Sequence, residues 1–250
     1  MNMNSNTLPL GGFPIAVMRS DELLPSIEQL LNSRQQLALF FANTNFIVKC
    51  RSLLPQMLSD DCLVINDGVG LDIAARIIHG KKFPENLNGS DFLPPLLQQL
   101  NHKARVFLLG AKPGIAMAAA QTLIHKHGVQ VVGTADGYVQ AADTEALLAQ
   151  INSSQANILL VAMGNPKQEH WILQHRQRLN INLLIGVGAF LDFLAGDKPR
   201  APKLIRRLRL EWLHRLCLEP SRLLRRYTLD IVIFLAICIR AGKESETLAP

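Results

Sequence analysis

Six short apolar runs, each followed by a polar turn and a longer amphipathic stretch, constrain this chain more than any other feature. The runs are QLALFFA at 36–42, CLVIN at 62–66, RVFLL at 105–109, VQVVG at 129–133, NILLVAM at 157–163 and NLLIGV at 182–187. Runs that are apolar at nearly every position suit strands buried on both faces. The stretches near 21–33, 46–57, 70–79, 91–101, 113–127, 143–153 and 167–179 read as helices. This alternation predicts an α/β fold: a Rossmann-like parallel sheet with helices on both faces. A chain of 250 residues, 48% apolar, supplies enough material for such a core.

The polar residues cluster just after the strands, as Asn43-Thr44-Asn45, Asn66-Asp67-Gly68, Gly110-Ala111-Lys112-Pro113-Gly114, Asp136-Gly137-Tyr138 and Gly164-Asn165-Pro166-Lys167-Gln168. In a parallel sheet these turns share one edge, and ligands bind there where the strand order reverses. Asp67 is the candidate general base, a carboxylate at a strand end followed by glycine. The plainer alternative for Asp67 is a helix cap or turn former. Asp91, in NGSDF, reads as an N-cap.

In VAMGNPKQEHW at 161–171, Asn165 suits an N-cap, Pro166 the first helical position, and Gln168 a capping box. Lys167 does not fit, because a cation opposes the positive end of the helix dipole. A phosphate over the helix start would explain it. Lys112, in GAKPG before another helix, repeats the arrangement and points to a diphosphate or nucleotide. Neither a Walker loop nor GxGxxG occurs. HExxH and DxD are also missing, and Cys50, Cys62, Cys217 and Cys238 are scattered, so no metal or cofactor is expected. Cations of the protein would then have to neutralise a leaving diphosphate.

Residues 198–226 carry ten basic side chains, eight of them arginine, against two acidic ones, although the whole chain is only +6. The division expected is therefore an α/β core over 1–197 and an Arg-rich helical appendage over 198–250 that meets an anionic partner. Helices are expected at 202–217, with Leu204, Leu208, Trp212 and Leu216 on one stripe, and at 220–240. The nine apolar residues Ile231–Ile239 fall short of the roughly 20 that span a bilayer, so this is a docking or interfacial helix. The apolar stripes equally suit a homo-oligomer interface. Trp171 and Trp212 read as packing residues. The start, MNMNSNTLPLGG, lacks the pattern of a signal peptide.

Taken in order, NDGVGLDIAARI, NGSDFLPPLL, VFLLGAKPG, GTADGYV, VAMGNPKQEHWI, GVGAFLDFLAG, RAPKLIRRLRLEWLHRL and EPSRLLRRY resemble the WecG/TagA/CpsF glycosyltransferases over about residues 10–228. The NDGVGLDIAxR…FPxNLNGSDF form is most similar to the branch building exopolysaccharides of the xanthan and acetan type, a β-1,4-glucosyltransferase. The resemblance implies an inverting, metal-independent bacterial hexosyltransferase. It would move a sugar from a UDP-sugar donor to a lipid-linked oligosaccharide acceptor on undecaprenyl diphosphate. Its place would be peripheral, on the cytoplasmic face of the inner membrane, against anionic lipid. Asp67 matches the family's catalytic base and Gln168 its nucleotide-side glutamine. The family's arginines that close over the site match the cluster from Arg206 to Arg226, with Arg206, Arg207, Arg215 and Arg222 as candidates. Asn43, Thr44, Asn45, Asn88, Lys112, Asp136, Tyr138, Asn165 and Lys167 complete the expected substrate-binding set. A UDP-N-acetylmannosaminyl or mannosaminuronosyl transferase is the alternative within the family. A nucleotide-binding oxidoreductase is disfavoured by the missing GxGxxG. A basic nucleic-acid binder is disfavoured by the few aromatics among the arginines, and no nucleic acid is expected as a partner.

Overall fold

The computed structural model describes residues 6–100, 102–138, 143–208 and 210–247. One sheet contains β1 (Thr7–Leu10), β2 (Phe13–Ala16), β3 (Leu37–Ala42), β4 (Cys62–Asn66), β5 (Arg105–Gly110), β6 (Gln130–Ala135), β7 (Ile158–Ala162) and β8 (Leu183–Gly186). Their spatial order is β1-β2-β4-β3-β8-β7-β5-β6, and every neighbouring pair is parallel except β1 with β2. This is the Rossmann-like α/β sheet that the alternation predicts. All six expected strands are present within a few residues of their predicted positions.

The helices of the core are α1 (Ser20–Leu31), α2 (Thr44–Lys49), α3 (Leu54–Met57), α4 (Val69–His79), α5 (Gly89–Gln99), α6 (Ile115–His127), α7 (Thr144–Ser153), α8 (Lys167–His175) and α9 (Phe190–Ala195). Side chains alternate across the sheet and meet a helical layer on each face. In β3, Ala38, Phe40 and Ala42 pack with α2, α4, α7 and α8, whereas Leu37, Leu39 and Phe41 pack with α1, α5, α6 and α9. Both faces are covered, so the strands show no polar alternation in the sequence.

The helices that follow β3, β4 and β7 leave to one face, and those that follow β5 and β8 leave to the other. The chain therefore parts on either side of β8, between β3 and β7. A crevice opens there at the carboxyl edge, the place where parallel sheets bind ligands.

The N-terminal hairpin has no counterpart among the expected elements. Its turn is Gly11-Gly12, with φ of 60° and 89°, and positive φ at both central residues makes a tight hairpin that follows the strand twist. Pro9 and Pro14 face each other across it.

The C-terminal segment is more broken than expected. It forms α10 (Lys203–Arg207), α11 (Glu211–Leu218), α12 (Pro220–Tyr227) and α13 (Leu229–Thr247). The stripe Leu204-Leu208-Trp212-Leu216 is interrupted after α10, where the Leu210 amide donates to the Ile205 carbonyl and the register is lost. The second expected helix breaks at Thr228, whose hydroxyl donates to the Leu224 carbonyl at 2.8 Å. α13 then packs on α2, α4 and β1. Its Phe234 and Cys238 are 1% exposed and belong to the main core cluster. Burial pushes the Cys238 thiol up to about 12. The opposite side of α13 leaves Leu229, Val232, Ile233 and Ile239 exposed. No helix among the described residues is long and apolar enough to cross a membrane.

Candidate functional site

A cleft of about 990 Å³ lies over the crevice. Its floor comes from the turns after β3, β4, β7 and β8, and its roof from α11, α12 and α13. Asp67 and Gln168, from different halves of the sheet, line the same cleft. So do Asn43, Thr44, Asn45, Asn88, Lys112, Tyr138, Asn165, Arg206 and Arg215.

Asp67 stands at the end of β4, its backbone N–H bonded to the Ala42 carbonyl at 2.7 Å. Two side-chain amides hold its carboxylate. Asn88 Nδ2 donates to Oδ1 at 2.9 Å and Asn43 Nδ2 to Oδ2 at 3.3 Å. Each asparagine is itself fixed as a helix cap. Asn43 Oδ1 accepts from the Phe46 amide at the start of α2, and Asn88 Oδ1 from the Ser90 amide at the start of α5. Thus Asn88, and not Asp91, caps α5. The next amide, Gly68 N–H, is held by Asn86 Oδ1 at 2.6 Å, a partner that the sequence does not reveal.

Gln168 sits at the floor with 3% exposure. Its Oε1 accepts from Gly164 N–H at 3.1 Å and Gly188 N–H at 2.9 Å, which staples the turn after β7 to the turn after β8. Its Nε2 donates to Glu169 Oε1 at 2.8 Å. A Cβ on Gly186 would come 3.0 Å from that Nε2, so a larger residue there would press on the Gln168 amide. α8 begins at Lys167 with Pro166 as N-cap and no side-chain cap, so the expected Asn165 cap is not formed. Asn165 instead donates to Glu169 Oε1 at 2.6 Å and accepts from Asn45 Nδ2 at 3.4 Å. Glu169 is 1% exposed, and burial pushes its carboxyl above the ordinary carboxylate range.

Three expected residues fall outside the lining. Lys167, in the first turn of α8, is exposed and does not line the cleft. Asp136 turns its carboxylate to the Tyr138 amide at 2.8 Å, and Arg207 is exposed. The Arg222 side chain lies outside the described residues.

The roof brings its own cations. Arg206 Nη1 donates to Asp91 Oδ1 at 2.6 Å. Arg200 Nη2 lies 2.6 Å from the same oxygen, close enough for charge pairing although its N–H is not aimed there. Arg215 stacks over Phe193 with its guanidinium carbon 4.9 Å from the ring centre. Lys198, Arg200 and Arg225 also line the cleft. Trp212, expected as packing, does so too, edge-on to Tyr227 at 5.7 Å. Trp171 packs against the core and His175. Among the described residues, no group of three or more His, Cys, Asp and Glu side chains is placed to hold a metal ion.

A carboxylate fixed by two asparagines, the Gln168 turn and the side chains of Arg200, Arg206, Arg215 and Arg225 line one cleft. That arrangement suits proton abstraction beside a multiply charged anion. The sequence model of the WecG/TagA/CpsF glycosyl transferase family matches residues 8–247, nearly the whole chain, and the chain belongs to that family of glycosyltransferases.

Proposed function

We propose that the chain is an inverting transferase that moves glucose from UDP-glucose to a glycan carried on undecaprenyl diphosphate during exopolysaccharide synthesis. The observation that carries this reading is the sharing of one cleft by Asp67 and the Gln168 turn, beneath Arg200, Arg206, Arg215 and Arg225. Asp67 takes the proton of the acceptor hydroxyl. The hydroxyl oxygen then attacks the anomeric carbon from the side opposite UDP. As that bond forms, the bond from the anomeric carbon to the β-phosphate oxygen breaks, and UDP leaves with the electron pair. Asn43 and Asn88 keep the carboxylate aimed at the hydroxyl. The arginines, with Lys112, offset the charge gathering on the diphosphate, which supports a reaction that needs no metal.

The same arginines, and the apolar outer side of α13, suit an enzyme that rests on an anionic membrane to reach a lipid-linked acceptor. Val232→Asp with Ile233→Asp should weaken sedimentation with anionic vesicles and leave UDP affinity unchanged. Unaltered sedimentation would remove α13 from the membrane contact.

The deciding experiment measures UDP release from UDP-glucose, UDP-N-acetylmannosamine and UDP-glucuronic acid with a lipid-linked acceptor, with and without EDTA. UDP-glucose should be used best, and EDTA should change nothing. Asp67→Asn should cut transfer by roughly 10²–10⁴-fold while calorimetry shows UDP still bound. Transfer retained by that variant would remove Asp67 as the base.

A further inference from the structure

The geometry points to Glu169 as a positioning residue, whose buried Oε1 fixes the orientation of the Asn165 and Gln168 amides and so joins three turns into one wall of the cleft. This rests on the reading of that wall as the nucleotide side of the site.

Glu169 does not itself line the cleft but bonds to two residues that do, Asn165 and Gln168. One oxygen, Oε1, receives both Asn165 Nδ2 at 2.6 Å and Gln168 Nε2 at 2.8 Å. A side-chain amide offers a donor end and an acceptor end, and the partner decides which end goes where. With its NH2 held by Glu169, Gln168 must present its carbonyl to Gly164 N–H and Gly188 N–H. With its NH2 held by the same oxygen, Asn165 must present its carbonyl to Asn45 Nδ2 on α2. The turns after β3, β7 and β8 are therefore tied through one carboxyl atom.

Reversal of Gln168 would set its NH2 against two backbone N–H groups. Buried donors facing donors are costly, and the two glycine turns would separate. The buried Cys50 thiol also reaches this carboxyl, and the second oxygen, Oε2, has no nitrogen or oxygen partner within the protein. An amide at position 169 could keep the acceptor and put its NH2 where Oε2 now lies. The function assigned to Glu169 thus depends on an acceptor atom and not on a charge.

The test compares Glu169→Gln and Glu169→Leu in the full chain, with UDP as the probe. Glu169→Gln should bind UDP within about threefold of the wild type, whereas Glu169→Leu should bind roughly tenfold or more weakly. Wild-type affinity in Glu169→Leu would overturn the assignment, and so would equal losses in both variants. If Glu169→Leu does not fold, side-chain amide NMR of the wild type decides. The NH2 protons of Asn165 and Gln168 should exchange slowly with solvent, and exchange at the rate of exposed amides would overturn the role. Failure of the wild type itself to bind UDP would sink the nucleotide reading, and the NMR result would still judge the wall.

Discussion

The two halves of the cleft are built on different principles. In the sheet half, Asp67 is held by groups that are themselves held: by Asn43 and Asn88, and these by the starts of α2 and α5. In the roof, Arg200 and Arg206 share one carboxylate oxygen on a half-exposed Asp91, and the Nε of each makes no hydrogen bond within the protein. One half fixes the Asp67 carboxylate through the folded chain alone, and the other leaves arginine donors without a hydrogen bond. On the proposed reading, this division holds the base rigid and lets charge close around a phosphate group late in the reaction.

The comparison is broken most severely by damage where roof and core meet. Phe234→Ala should cost roughly 3–5 kcal/mol of stability, because α13 inserts that ring fully into the core. Thermal unfolding measures this, and a small loss would mean that α13 is only loosely attached. Next in size is removal of the roof's cations. Arg206→Ala with Arg215→Ala should lower kcat/KM roughly 10–100-fold. Its unfolding temperature should barely move, since partly exposed ion pairs contribute at most about 1 kcal/mol. The two results would separate a structural helix from working side chains, and the opposite pattern would merge them.

The smallest effect sharpens the description of the sheet half. Burial raises the Glu169 carboxyl above its ordinary value of 4.5. A raised carboxyl contributes stability below that value and loses it as pH climbs through the folded one. Glu169→Gln cannot titrate. Its unfolding temperature, relative to the wild type, should therefore rise with pH from 4.5 upward. A constant difference across that range would mean that the carboxyl is not perturbed.

Most of the sheet was legible because strands buried on both faces leave unmistakable apolar runs. The hairpin of β1 and β2 was not, since four-residue strands carrying Pro9 and Pro14 look like chain breakers. Likewise α9 is hidden between two glycine turns, Gly188 and Gly196. In the C-terminal segment the apolar period runs on through the breaks at 208–210 and Thr228, so two long helices were expected where four form. Asp67 was legible as a carboxylate at a strand end. Its surroundings were less so, because Asn88 reaches it, and Asn86 the neighbouring Gly68 amide, from a loop about 20 residues away, contacts that only the tertiary fold creates. Lys167 marks the start of α8 and is exposed outside the lining, because a first-turn lysine signals a helix start but not which side of that turn it takes. Glu169 was silent because an acidic residue in a first turn already has a routine explanation in the helix dipole.

The docking of α13 has one more consequence. Ile237 and Cys238 lie over Gly11 in the tip of the first hairpin, beside Ile47 of α2. The first hairpin thus remains partly uncovered until a helix more than 200 positions further along the chain leaves the ribosome. A chain stopped near residue 198 would expose that oily surface to chaperones and proteases, so truncation would report on quality control before it reported on lipid.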